Sequence, residues 1–120
     1  MPGGTRRNKK PFEYALDAHW PYAVMDGYRP AQVGQAIARA LAEAMERKRV
    51  SANVLAAEAG INRQVIANIL AGRTWPDMLT VASLEAALGE MLWPQHIDWP
   101  ADGTGVRRQP IPSQGRRDTE

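Results

Sequence analysis

The chain has 120 residues and no cysteine, is 44% apolar and 23% charged, and carries a formal net charge of +2, values that suit one small domain. Without cysteine there is no disulfide framework, no thiolate nucleophile and no cysteine-held zinc, so a cytoplasmic setting is expected. No stretch approaches the roughly 20 consecutive apolar residues that cross a bilayer. The opening MPGGTRRNKK leads into Pro11, Glu13 and Asp17 and does not read as a secretory signal.

Residues 31–75 hold no proline, while the rest of the chain holds all nine; the middle is therefore expected to be helical. Residues 1–10 and 100–120, rich in Gly, Pro and Arg with little to bury, are expected to be disordered tails, the first of them basic. Between tail and helical zone lies an aromatic N-terminal extension, residues 11–29. It holds Phe12, Tyr14, Trp20, Tyr22 and Tyr28, five of the eight aromatic residues. Such a segment packs on its own domain, on a second copy or on a partner protein, and the need of a small domain for apolar contacts favours the first.

The first helix is expected from Pro30, a residue favoured at a helix start, to about Lys48. Val33, Ile37, Ala40, Leu41, Ala44 and Met45 recur at steps of three and four and make one apolar stripe. Arg39, Glu43 and Arg47 line its solvated side. Ser51 caps a short second helix through Ala59, which Gly60 ends. Asn62 caps a third, Arg63 to about Ala71, with Ile66, Ile69 and Leu70 inward and Gly72 beyond it. Asp77 caps a fourth through Leu88, with Val81, Leu84 and Leu88 inward and Gly89 as its stop. A short segment from Met91 to Trp99 is interrupted by Pro94. No strand alternation is visible, and the expected architecture is all-α, a compact bundle of four to five helices over residues 30–99.

The second and third helices and their tight turn have the dimensions of a helix-turn-helix. Ala56 must be small where the helices cross, Gly60 supplies a left-handed turn, and Ile66 is the buried anchor, with Leu55, Ile61 and Ile69 filling the remaining inward positions. The stretch SANVLAAEAGINRQVIANILAGRTWP and the trailing LTVASLEAALG resemble the Xre/Cro-like helix-turn-helix family, the phage-repressor-like DNA-binding type, over about residues 33–92. The resemblance implies a double-stranded DNA partner, a major-groove third helix and, usually, a dimeric transcription factor.

Asn62, Arg63, Gln64, Ala67 and Asn68 match that family's base-reading sites. Their chemistry agrees: Arg pairs with guanine O6 and N7, Asn or Gln with adenine N6 and N7, and Ala meets a thymine methyl. Lys48, Arg49, Ser51, Arg73 and Thr74 are the candidate phosphate contacts, which position without specifying sequence. Two residues depart from the pattern: many relatives carry Gln at the place of Ala52, and a small residue at that of Glu85.

Charge is distributed unevenly. Residues 47–73 carry net +4 and residues 77–98 net −4, so the basic side is expected to coincide with the helix-turn-helix while the acidic end points away. The cluster Arg6, Arg7, Lys9 and Lys10 reads either as a solvated tail or as a minor-groove arm. Trp75 is expected either to lie along the DNA backbone or to plug the end of the third helix, the plug being favoured. Met91, Leu92, Trp93, Ile97 and Trp99 fall where the resemblance implies a dimer surface, and read equally as intrachain core. His19 and His96 have no metal-ligand spacing, and no nucleophile elbow, phosphate loop or H-E-x-x-H pattern is present, so neither cofactor nor enzyme activity is expected.

The expected function is a sequence-specific regulator, a repressor acting as a homodimer. The alternative is an interaction module, an antitoxin or adaptor whose residues 12–28 bind a protein.

Overall fold

The proline-free middle of the chain folds as helices, and the computed structural model describes residues 9–95. A 3-10 turn at Pro11–Tyr14 precedes α1 (Arg29–Lys48), α2 (Ala52–Ala59), α3 (Arg63–Leu70) and α4 (Met78–Leu88). No strand is found among the described residues; Ala15 and Met25 make an isolated antiparallel bridge.

The helix starts follow from short polar side chains that satisfy orphan backbone donors. Ser51 Oγ accepts from Val54 N at 3.2 Å, Asn62 Oδ1 from Gln64 N at 2.7 Å, and Asp77 Oδ1 from Thr80 N at 2.7 Å. The Thr80 N–H also holds the Asp77 carboxyl below the usual carboxylate range. α1 begins one residue before Pro30, with the Tyr28 carbonyl accepting from Ala31 N and Gln32 N. Gly60 and Gly89 end α2 and α4 at φ 72° and 70°. α1 ends instead on Arg49 at φ 56°, a left-handed position without glycine.

Ile37, Leu41 and Ala44 of α1 meet Leu55 and Ala56 of α2, Ile66 and Ile69 of α3, and Val81, Leu84 and Leu88 of α4 in one core. Each fully buried Leu or Ile contributes about 1.5–3 kcal/mol. Ala38 joins this core beside the expected stripe, whereas Val33, Ala40 and Met45 lie at its margin and are half-buried. α2 packs against both α3 and α4, and α1 against α3. α3 is thus held from behind by its two isoleucines.

The aromatic extension folds onto this scaffold. The Phe12 N–H donates to the Gly72 carbonyl at 3.0 Å, the Gln35 side chain donates to the Ala23 carbonyl, and the Tyr22 hydroxyl donates to Glu43 at 3.2 Å. Tyr14 stacks on Tyr28 with ring centroids 4.5 Å apart, and Trp75 stands 6.1 Å and 6.3 Å from them. The expectation for Trp75 is therefore corrected. Trp75 joins the aromatic pair, and the side chains over the end of α3 are Trp20 and Phe12, which crowd Gly72.

Beyond α4 the described chain is irregular. Leu92 is buried in the core while Met91 and Trp93 are exposed; Ile97 and Trp99 lie outside the described residues, as does His96. Glu85 is no misfit: its carboxylate accepts from Leu92 N at 2.7 Å and Trp93 N at 2.9 Å and closes the turn after α4. The expected tails also lie outside the described residues, except Lys9 and Lys10. Lys9 is held, its carbonyl accepting from the Trp75 indole N–H at 3.0 Å.

Candidate nucleic-acid interface

Burial of Ile66 and Ile69 fixes which way α3 faces, because residues one helical turn apart share a side. Asn62, Arg63 and Gln64 are exposed at the helix start, and Ala67 and Asn68 are partly exposed one turn later. Gln64 Nε2 donates to Asn68 Oδ1 at 3.1 Å, and Arg73 Nε donates to the same oxygen at 3.1 Å. One polar row therefore links two base-reading candidates to a phosphate candidate. Among the described residues, Arg63 has no ion-pair partner, so its guanidinium keeps all its donors for a ligand.

The loop after α3 is built to hold Arg73. Gly72 sits at φ 74°, where the chain must turn left-handed, and the Phe12 and Trp20 side chains close over it. Arg73 is exposed beside them, and Thr74 is half-buried in a hollow of about 210 Å³ shared with Val65, Asn68, Trp75 and Thr80. Ser51 lies at the start of α2, exposed, with its hydroxyl already accepting the capping bond.

Lys48 and Arg49 differ in kind. Lys48 Nζ lies 3.7 Å from Glu90 Oε2, and Arg47 pairs with the other oxygen of the same carboxylate. The acidic end therefore does not point wholly away from the basic block: Glu90, just after α4, meets the last turn of α1. Sequence reasoning had no signal for this contact across 43 residues.

Arg49 remains exposed. A left-handed non-glycine residue costs about 1–2 kcal/mol. Arg49→Gly is accordingly expected to stabilise the fold by about 1 kcal/mol, read as a higher midpoint in urea; a lower midpoint would show that the arginine side chain, not the backbone, dominates there.

A second missed feature is an apolar outer face on α4, where Met78, Leu79, Ala82 and Ala86 are all exposed. Its signal was present in MLTVASLEAAL, which is apolar all round and holds one charge, a composition at odds with a simple surface helix.

Residues 35–91 match the helix-turn-helix family model. This stretch belongs to the Xre/Cro-like helix-turn-helix family. The helix-turn-helix match starts within α1 and ends just past Glu90, so the aromatic extension lies outside it. Among curated proteins, none matches the chain. The family is one of DNA-binding regulators. No helix among the described residues is long and apolar enough to cross a membrane.

Proposed function

We propose that the protein is a sequence-specific repressor in the cytoplasm that binds double-stranded DNA as a homodimer. The observation that carries this reading is the row Asn62, Arg63 and Gln64, exposed at the start of a helix whose Ile66 and Ile69 are buried. With α3 in the major groove, Arg63 addresses a guanine, Gln64 and Asn68 address adenines, Ala67 meets a thymine methyl, and Asn62 reaches the base or backbone at the helix start. Arg49, Ser51, Arg73 and Thr74 grip phosphates. Lys48 contributes less, because Glu90 neutralises part of its charge. Dimerisation is supported by the charge-free face of Met78 and Leu79, 76% and 79% exposed, continued by Ala82 and Ala86. A bound dimer represses by covering a promoter.

Selection of bound duplexes from a random pool tests this reading. The expected product is a pair of related half-sites, each about four to six base pairs, whose centres lie about one helical turn or a multiple of it apart. A single unpaired half-site would contradict the dimer, and no enrichment would contradict the repressor. A second reading, a protein-binding adaptor, is supported by Leu16, Tyr22 and Val24, which stand exposed on the extension. The two separate at Arg63, whose replacement an adaptor would tolerate.

A further inference from the structure

The helix-turn-helix match leaves residues 11–28 outside it, yet this extension and the loop after α3 share a hollow of about 300 Å³. Phe12, Asp17, Ala18 and Trp20 line it from the extension, and Ala71 and Arg73 line it from the end of α3. Most of this lining is apolar, with Phe12 still 41% exposed, and one cation and one anion stand in it. The volume is at the lower end of ligand pockets, which run from about 300 to 1,000 Å³.

Neither charge is spent on the other: among the described residues no ion pair joins Asp17 to Arg73. Arg73 gives its Nε to Asn68 Oδ1, and its two terminal nitrogens have no protein partner among the described residues. They leave a fork of donors that matches a carboxylate. Asp17 Oδ1 accepts from the His19 N–H at 3.0 Å and lies 3.1 Å from His19 Nδ1, while Oδ2 accepts from Val24 N at 3.3 Å. The His19 N–H holds the Asp17 carboxyl below the usual carboxylate range, so the group is anionic at neutral pH and Oδ2 keeps room for another donor.

We propose that this hollow binds a free amino acid with an apolar side chain, whose carboxylate meets Arg73, whose ammonium meets Asp17 and whose side chain packs on Phe12 and Trp20. A ligand with a carboxylate alone would bring it towards Asp17, and one with an ammonium alone would bring it towards Arg73; an amphoteric molecule complements both. The site goes beyond the repressor reading and rests on it only for its consequence. Arg73 is one of the proposed phosphate contacts, and a bound carboxylate occupies the same donors. The amino acid and DNA therefore compete for Arg73, and the ligand acts as an inducer.

The test titrates the full-length chain with L-phenylalanine, L-tryptophan and L-leucine in turn, following backbone amide shifts without DNA and affinity for the selected operator with it. At least one of them should give saturable shifts centred on residues 12, 17–20 and 71–73. At saturation operator affinity should fall several-fold, with a slope of log affinity against log salt shallower by about 0.9, the contribution of one phosphate contact. Analogues of the bound amino acid that lack its carboxylate or its ammonium, and glycine, which lacks the side chain, should all bind more weakly. Asp17→Asn and Ala18→Leu should weaken amino-acid binding and leave operator affinity in its absence unchanged; Ala18 is exposed, so the second variant fills the hollow without disturbing the core. Absence of saturable shifts with all three, equal binding of a singly charged analogue, or unchanged operator affinity at saturation would overturn the inference. Failure of the wild type to prefer the operator over a scrambled duplex, with the amide shifts retained, would overturn the regulator reading and uphold the amino-acid site.

Discussion

Arg63→Ala is expected to weaken binding to the selected operator by about 1–3 kcal/mol, roughly 5- to 150-fold, and to relax preference at one base position per half-site. The reasoning is local. Arg63 is exposed at the first residue of α3, so its truncation leaves the core of Ile66 and Ile69 intact and the urea midpoint nearly unchanged. Arg63→Lys keeps the charge but loses the two-pronged donor pair, so it should recover affinity for any duplex more than preference for the guanine. Measured on cognate and single-substituted duplexes, a uniform loss across sequences would place Arg63 on a phosphate instead.

Gly72→Ala carries the largest expected structural effect. Its φ of 74° is unfavourable for alanine, and the added methyl would lie 2.6 Å from Trp20 Cε2 and 2.9 Å from Phe12 Cβ. Left-handed strain of about 1–2 kcal/mol and overpacking of about 1–3 kcal/mol together predict a loss of about 2–5 kcal/mol in unfolding free energy. The same crowding should push the extension off the end of α3 and free Arg73 from its place beside Asn68, lowering operator affinity. Trp20→Ala in the Gly72→Ala background removes the main clash, so the double variant should lose less stability than the two single losses combined. Strict additivity would mean that the strain lies in the backbone alone.

Much of this architecture was readable in the residues. Ser51, Asn62 and Asp77 each cap a helix as their position before an apolar period implies, and Ala56, Gly60 and Ile66 take the crossing, turn and anchor that their spacing requires. These features are local, set within a turn or two of chain. What escaped was contact between distant segments. Trp20 over Gly72 joins residues 52 apart in sequence, and Glu90 on Arg47 and Lys48 joins residues just over 40 apart; neither has a periodic signature. Arg49 at φ 56° was hidden for another reason, since a helix end in the left-handed region is normally announced by glycine.

The Xre/Cro-like motif also explains why the two halves of the surface differ. α3 spends its inward side chains on the core and keeps its polar ones outside, while α4 keeps apolar side chains on both sides. One surface is suited to the hydrated edges of bases and phosphates, the other to removal from water. The extension braces the first of these by fixing the loop that follows α3.

Amide chemical-shift mapping during titration with the selected operator tests the central claim most directly, because it reports which surface meets DNA. The expected perturbations centre on residues 62–68, with Arg49, Ser51, Arg73 and Thr74 at the margin. Shifts confined to residues 12–28, with α3 undisturbed, would contradict α3 as the reading element.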